Sequence, residues 1–520
     1  MSKWHSLLEV FQFPLKMLFF GTFLLGIGSI ALNQNITFLW DIEHQSLLLF
    51  FELIRYTGAS IIYLFPLLAY VHILSHKYES SVTTIIGVLS YVLIHVSMVF
   101  FVNPNLPSYF YHSIFGVSTI NFDQIKGVLT LIRLPYNLGV LGFVISYFIT
   151  HQCYLWSRKY SIFGLLSFID HDSMAAILTS IVSILTGIVI AYVWPVVLGG
   201  LNLFYGVIAN DITNPINLFL YGIFERLSAL GGIVDIPRQM FWFSDMGGSW
   251  LNSVGQKFSG DVAIWTAQRQ EGISVLTTGT FITPYYVINL FIIPAYYIAI
   301  YKLCSDKQDR NRYIGFIVLA IILSILCGNP LPAEILMLIL SPLLFAFYLL
   351  TVGILYSFLQ MFHVVVGYNF TELMMLANPG SGLDLLQYLR NSYIAGSIYK
   401  LIFIGLIVAV IFYYLTKVYF KKYAFGFFQV VNKDEICETV VNHLGGLDNI
   451  LEVQSTPDKL NVRYVNKELI NYEELKKMGA YMMIESKMGF LFRIGNISTI
   501  VKDYIIQKKQ EVKTEETVSE

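Results

Sequence analysis

A few charged residues lie inside long apolar stretches of this 520-residue chain, and they are the first candidates for chemistry. Glu225 and Arg226 are neighbours in LFLYGIFERLSAL, and Glu334 follows two prolines in NPLPAEILMLIL. Charge in such surroundings is costly and usually faces a bundle interior or an aqueous cavity. We therefore expect Glu334 to line a binding site. Glu225 and Arg226 could either bind a ligand or form a structural ion pair.

Five other polar residues of the apolar segments are interpreted as structural. They are Glu52, Arg55, Arg133, His95 and His363. The four cysteines show neither paired spacing nor a metal-ligand pattern, so we expect no disulfide framework, no metal site and no cofactor. We find no hydrolase triad, phosphate loop or nucleotide fingerprint. The net charge of −1 argues against a nucleic-acid partner.

The elements that must position these residues are membrane helices. The chain is 56% hydrophobic and 13% charged, whereas soluble domains carry about 25% charged residues. A membrane helix needs about 20 mostly apolar residues. Ten stretches qualify: Leu15–Leu32, Leu48–Leu74, Val82–Val102, Val128–Tyr154, Met174–Gly200, Asn214–Gly232, Pro284–Tyr301, Tyr313–Cys327, Leu336–Val366 and Ile398–Tyr419. The composition thus predicts a polytopic α-helical membrane protein embedded in the lipid bilayer.

The distribution of Lys and Arg predicts the orientation, because both residues concentrate on the cytoplasmic side. The connections without either residue are 33–47, 103–122 and 197–213. Lys77, Arg158 and Lys159 lie in the connections between them, so the N-terminus is expected inside. Lys421 and Lys422 follow the last apolar stretch and place the C-terminus inside as well.

Two segments break the regular pattern. Ile233–Thr283 is rich in glycine, and Gly328–Pro332 interrupts an apolar stretch. Broken backbone within a bilayer occurs where it lines a cavity or is buried in protein. We therefore expect re-entrant segments in the second half, 201–424, which we interpret as the substrate-handling half. The first half, 1–200, is interpreted as the dimerisation or scaffold half. Loops at the membrane surface are the alternative interpretation.

A small α+β domain is predicted at 430–506, followed by a disordered tail at 507–520. Asn432 can cap its first helix, with Glu435 as the capping-box partner. Strands are expected at 450–453, 460–465, 481–484 and 490–494, and further helices at 473–478 and from 497. The turn between the first two strands reads Ser455-Thr456-Pro457-Asp458.

This order of elements, with LGGLDNI, LKKMGAYMMI and GNISTIVKDYI, resembles the enzyme IIB domain of the glucose-type sugar phosphotransferase system. FGLLSFID, MAAILTSIVSILTGIVIAYVWPVV, LYGIFERL, MFWF, GNPLPAEI and GSGLDLL are similar to consecutive landmarks of its enzyme IIC domain. The resemblance implies a homodimeric IICB permease of the bacterial plasma membrane. Such a permease binds sugar in its second half, moves it by an elevator-like shift and phosphorylates it from a cysteine in the first turn of IIB.

The residues that the family uses for this reaction are replaced. The cysteine position of the pattern N-I-x-x-V-x-x-C falls on Thr456, and the domain's single cysteine, Cys437, lies in a predicted helix. The first histidine after the Glu-Arg pair falls on Val234, and the first glutamate of the T-E-P-I-E-F-like run falls on Leu331. A thiolate is a good nucleophile and leaving group, and leucine can neither accept a proton nor orient a hydroxyl. The resemblance therefore implies that phosphorylation by this chain is lost.

The substrate-binding positions that remain are Glu225, Arg226, Glu334 and Trp242. Trp242 could stack on a sugar ring or pack in the membrane. One hypothesis is a sugar transporter without phosphorylation, such as a facilitator. A second is a sensor, receptor or scaffold whose IIB-like domain binds a cytoplasmic phosphotransferase or regulatory protein. No group of residues supports an enzyme acting on another membrane substrate.

Overall fold

The fold was analysed in a computed structural model. It describes residues 3–33, 42–78, 80–112, 119–123, 128–159, 169–273, 278–303, 307–368, 380–389, 392–422, 433–455, 459–477, 480–486, 489–493 and 498–519. Two compact units are present, one of Leu8–Lys422 and one of Tyr423–Glu520 together with Met1–Leu7. We refer to them as the membrane unit and the C-terminal unit.

The first part of the membrane unit contains long helices and one hairpin. The helices are α1 (Lys3–Ala31), α2 (Gln45–Tyr63), α3 (Phe65–Tyr78), α4 (Ser81–Val99), α5 (Val140–Lys159) and α6 (His171–Ala209). The hairpin strands are β1 (Thr119–Asp123) and β2 (Val128–Arg133). The boundary predicted at residue 200 between two halves falls inside α6.

The second part alternates long helices with short elements. These are α7 (Pro215–Leu230), α8 (Asp235–Phe243), β3 (Ser249–Leu251), β4 (Lys257–Ser259), α9 (Asp261–Gln270), α10 (Thr283–Val287), a π-helical turn (Ile288–Ile292), α11 (Ile293–Leu303), α12 (Lys307–Cys327), α13 (Leu331–Leu340), α14 (Pro342–Met361), α15 (Gly382–Tyr388) and α16 (Ser392–Lys422). Across the described ranges, seven helices are long and apolar enough to cross a membrane. The helical, multi-span architecture is therefore present, and the count of ten spans stays a prediction.

Three of the predicted spans are interrupted by a non-helical residue or by a strand. Leu48–Leu74 divides at Leu64 into α2 and α3, and Pro66 lies in the first turn of α3, where its missing N–H needs no partner within the helix. Leu336–Val366 is likewise broken at Ser341, where Pro342 starts α14. Proline restricts the residue before it and removes one backbone donor, so an apolar run alone overestimates helix length.

The third of these, Val128–Tyr154, begins as a strand. Val128–Arg133 forms β2, which pairs antiparallel with β1 in the register Thr119 to Arg133. The chain then turns through Gly139, whose φ of +53° favours glycine, and α5 starts one residue later. The run of apolar residues in β2 is too short to distinguish strand from helix by pattern.

Polar side chains hold the interrupted backbone of the second part. Asn289, fully buried in the π-helical turn, donates to the carbonyls of Gly328 (3.0 Å) and Gly380 (3.3 Å). The carboxylate of Asp261 accepts from the backbone N–H of Gly279 at 2.7 Å. Non-helical backbone at membrane depth is tolerated where protein groups satisfy it in this way. Gly279 and Gly328 lie in the two segments that the sequence marked as irregular, whereas the π-helical turn and Gly380 lie outside them.

The C-terminal unit is an antiparallel sheet with helices. Its elements are α17 (Lys433–His443), β5 (Ile450–Ser455), β6 (Lys459–Tyr464), α18 (Tyr472–Lys477), β7 (Tyr481–Ser486), β8 (Gly489–Arg493) and α19 (Ser498–Ser519). The strand order is β5-β6-β8-β7. Leu460, Val462, Phe490 and Phe492 form its buried centre, and Cys437 packs into the same core. Thr456, in the turn between β5 and β6, lies outside the described residues.

α19 continues to Ser519 and so includes most of the segment 507–520, for which disorder stays a prediction. Lys508 pairs with Glu511 at 2.7 Å, one helical turn away. Lys, Glu and Gln are also good helix formers, so a charged composition does not by itself exclude a helix.

Asn449 fixes the entry into the sheet of the C-terminal unit. It is 3% exposed, its amide donates to the carbonyls of Leu444 (2.7 Å) and Asn466 (3.0 Å), and its oxygen accepts from the N–H of Asn466 at 2.7 Å. Replacing Asn449 with alanine is expected to cost about 1–3 kcal/mol because it leaves buried backbone groups unpaired. The exposed Asn461→Ala is the control and should change stability by less than about 0.5 kcal/mol.

Residues 423–520 contain no tryptophan, so pulse proteolysis of the full chain is the suitable measurement. Equal protease resistance of the two variants would show that these hydrogen bonds do not stabilise the unit.

Candidate functional site

One group of buried polar side chains connects five elements of the membrane unit. We call it the charge cluster; its members are Glu225 and Arg226 on α7, Arg238 on α8, Tyr285 on α10, Glu334 on α13 and Tyr348 on α14. The sequence predicted three of these residues, and the structure brings all three together.

Local sequence explains why α7 can present its charged pair. Asn214 caps the helix by accepting from the N–H of Ile216 at 2.9 Å, and Pro215 occupies the first turn. Gly222 lets the helix approach α14 closely, since a Cβ there would lie 2.5 Å from the ring of Tyr356. Glu225 therefore faces the interior of the bundle rather than lipid.

Arg226 is the centre of the charge cluster and is 1% exposed. Its Nε donates to Glu225 Oε2 at 2.5 Å, and its Nη2 donates to Glu225 Oε1 and to the Tyr285 hydroxyl, both at 2.6 Å. Its Nη1 donates to Glu334 Oε1 at 3.2 Å. The guanidinium fork thus bridges two carboxylates, which suits its planar arrangement of donors.

Arg238 is the second arginine of the charge cluster and contacts Glu225 and Tyr285. Its Nε lies 3.3 Å from Glu225 Oε1, and its Nη2 donates to the Tyr285 hydroxyl at 2.9 Å. Tyr285 in turn donates to Glu225. The guanidinium carbon of Arg238 lies 4.9 Å from the ring centroid of Trp242, which is 1% exposed. Trp242 therefore packs beside the cluster.

Only one of the two carboxylate oxygens of Glu334 has a hydrogen-bond partner among the described residues. Its Oε1 accepts from Arg226 Nη1 and, at 2.5 Å, from the Tyr348 hydroxyl. Its Oε2 is buried and has no hydrogen-bond partner within the described part of the chain. A buried acceptor without a donor is costly and is usually matched by water or a ligand. The arrangement can therefore accept a hydrogen bond from a ligand hydroxyl.

The two positions that the resemblance aligns with reactive residues of the family lie next to this cluster in the chain. Val234 immediately precedes α8, and Leu331 is the first residue of α13, one turn before Glu334. Both side chains are partly buried. Neither can accept or donate a proton, so the described residues at these positions supply no acid or base.

Sequence reasoning missed Arg238, Tyr285 and Tyr348. Arg238 carries a usable signal, because it is a cation between Ile236-Pro237 and Phe241-Trp242 in an apolar region. The tyrosines carry none, since the chain contains 34 of them and most fit membrane interfaces equally well.

Comparisons with known proteins identify the family. No family model matches the chain. A curated protein of Staphylococcus carnosus (strain TM300), described as "PTS system glucoside-specific EIICBA component", is 30% identical over 358 residues. The match covers 67% of this chain and 50% of that protein, so the chain spans about half the length of the curated relative. Together with the apolar helices, this similarity indicates a multi-pass protein of the plasma membrane. The chain belongs to the family of IICB-type permeases of the sugar phosphotransferase system.

Proposed function

We propose that the chain is a membrane sugar-transport component that binds an unmodified sugar at the charge cluster and does not phosphorylate it. The unpartnered Oε2 of Glu334 is the observation that supports this proposal most. A sugar hydroxyl is a neutral donor that satisfies such an oxygen without adding charge to the membrane interior.

Charge balance supports a neutral ligand. Two arginines and two glutamates of the cluster offset each other, so an ionic ligand would leave an uncompensated charge. Trp242 and Tyr285, with ring centroids 6.1 Å apart, add aromatic surface of the kind that packs on an apolar sugar face. The similarity to a glucoside-specific protein suggests a glucoside as the first ligand to test.

Loss of phosphorylation is proposed from three separated positions. Thr456 replaces the nucleophilic cysteine, Val234 the histidine and Leu331 the glutamate. A separate IIB chain could supply a cysteine, but it could not supply the groups absent at Val234 and Leu331. This objection does not apply to transport of unmodified sugar, because such transport needs no phosphorylation. We further propose a homodimer with both termini in the cytoplasm.

A sensor or scaffold is the second candidate, and the C-terminal unit favours it. That unit keeps a fully buried core of Leu460, Val462, Phe490 and Phe492 although its nucleophile position is Thr456. A facilitator does not need such a unit. In this case the unit would bind a cytoplasmic phosphotransferase or regulatory protein, and sugar binding would occur without uptake.

Glu334→Gln tests the proposed ligand site. Glutamine keeps an acceptor for Arg226 and Tyr348 but replaces Oε2 with an N–H donor, which opposes a ligand hydroxyl donor. We expect the affinity for a labelled glucoside to fall about 10-fold or more, because a hydrogen bond to a charged group contributes about 1.5–3 kcal/mol. Equilibrium binding to the purified full chain in nanodiscs measures this.

The control is Glu271→Gln, which makes the same change at an exposed residue next to α9. It should bind like the wild type. Unchanged affinity in Glu334→Gln, with the same thermal stability as the wild type, would move the ligand away from Glu334.

A further inference from the structure

A second polar site lies between the last turn of α3 and the middle of α5, away from the charge cluster. We propose that Lys77 and Tyr147 bind the phosphodiester of an anionic phospholipid. The proposal depends on the membrane location of the chain and not on sugar binding.

The two donors of this site lie side by side. Lys77 Nζ donates to the Tyr147 hydroxyl at 2.6 Å, so the Tyr147 oxygen acts as acceptor and its own hydrogen remains to be donated. Among the described residues, no acceptor takes that hydrogen and no carboxylate lies within 4.0 Å of Lys77 Nζ. A phosphodiester presents two anionic oxygens next to each other and can accept from both groups.

His151 does not neutralise Lys77. Its Nδ1 lies 3.4 Å from Lys77 Nζ and 2.5 Å from the Tyr78 hydroxyl. One ring nitrogen offers one lone pair, so it cannot accept strong hydrogen bonds from both neighbours. The shorter contact belongs to Tyr78, and the ammonium keeps donor capacity for an anion.

Aromatic rings hold the cation in place. Lys77 Nζ lies 4.9 Å from the ring centroid of Tyr147 and 5.4 Å from that of Tyr78. The ring of Tyr78 contacts that of Tyr154 at 4.7 Å, and Arg158 lies over Tyr154 at 5.1 Å. Such contacts orient a cation without cancelling its charge.

The position along the helices fits a headgroup. Lys77 lies in the last turn of α3, and Arg158 and Lys159 lie in the last turn of α5, where the chain leaves its apolar stretches. Lys77 is exposed, and Leu155 and Trp156, just before Arg158 in α5, expose apolar side chains. Exposed basic groups at the ends of apolar helices are attracted to anionic lipids.

The test compares lipid retention by Lys77→Gln and Lys302→Gln. Lys302 is an exposed lysine in the last turn of α11, and its substitution makes the same charge change. Native mass spectrometry of the full chain with phosphatidylglycerol should show about 10-fold weaker binding in Lys77→Gln, as expected for a lost charge-assisted bond. Lys302→Gln should bind like the wild type, and Tyr147→Phe should fall between the two.

Two further arms identify the source of the phosphate. Glycerol phosphate at the same concentration should not compete, which shows that the lipid rather than a free phosphate is bound. Phosphatidylcholine should bind more weakly than phosphatidylglycerol. Equal phosphatidylglycerol binding by Lys77→Gln and the wild type, or full competition by glycerol phosphate, would overturn the proposal.

Discussion

Arg226→Met is expected to destabilise the membrane unit by about 3–5 kcal/mol, the usual result of removing one partner from a buried ion pair. The substitution keeps side-chain volume but leaves Glu225 and Glu334, both fully buried, without the guanidinium that bridges them. Thermal unfolding of the purified chain in detergent, followed by tryptophan fluorescence, measures the loss.

The matched control is Arg158→Met, which removes the same side chain from an ion pair with Asp172 whose side chains are 45% and 34% exposed. Exposed pairs contribute about 0–1 kcal/mol, so this variant should unfold near the wild-type temperature. Equal effects of the two substitutions would show that the cluster is not a buried network.

A double variant tests whether Glu225 and Glu334 depend equally on Arg226. Glu225 keeps Arg238 when Arg226 is removed, whereas Arg226 is the one cation paired with Glu334 among the described residues. Adding Glu334→Gln to Arg226→Met should therefore recover part of the lost stability. A further loss in the double variant would contradict this assignment of charges.

Thr456→Cys alone is expected to produce no sugar phosphate above the wild-type level. The substitution supplies a nucleophile, but Leu331 and Val234 still provide no proton acceptor at the proposed sugar site. Positioned acid–base groups contribute about 10²–10⁴-fold in rate, so the single variant should stay at least about 10²-fold below one that also carries Val234→His and Leu331→Glu. Labelled phosphate transfer from a phosphoryl-donor protein of the phosphotransferase system measures both variants.

Ser455→Cys is the control because it places a cysteine one residue earlier, at the end of β5. It should behave like the wild type. Robust sugar phosphorylation by Thr456→Cys alone would show that the membrane site is competent and that Val234 and Leu331 have been misinterpreted.

The membrane helices and one of their interruptions could be predicted from composition. Charge depletion indicated membrane helices, and proline or glycine marked the interruption at Gly328. The break at Leu64 and the strand Val128–Arg133 were missed, because an apolar run does not distinguish one long helix from two or from a strand. The charged composition of 507–520 does not distinguish a disordered tail from a continuation of α19.

The charged residues of the candidate site could be predicted from the sequence, whereas the contacts between them could not. Glu225, Arg226 and Glu334 are unusual in apolar surroundings and could be selected from the sequence. That Arg226 contacts Glu334, 108 positions further along the chain, follows only from the packing of α7 and α13. Tyr285 belongs to a residue type too common in this chain to be selected, although it contacts both arginines.

The most direct test of the central claim is the chemical form of sugar taken up by proteoliposomes that contain the wild-type chain. A labelled glucoside is supplied with and without the phosphoryl-donor protein, and the internal label is separated into free and phosphorylated sugar. We predict saturable uptake of free sugar in both conditions, and weaker uptake by Glu334→Gln. Accumulation of sugar phosphate only in the presence of the donor would show that the chain phosphorylates its substrate and would contradict the account.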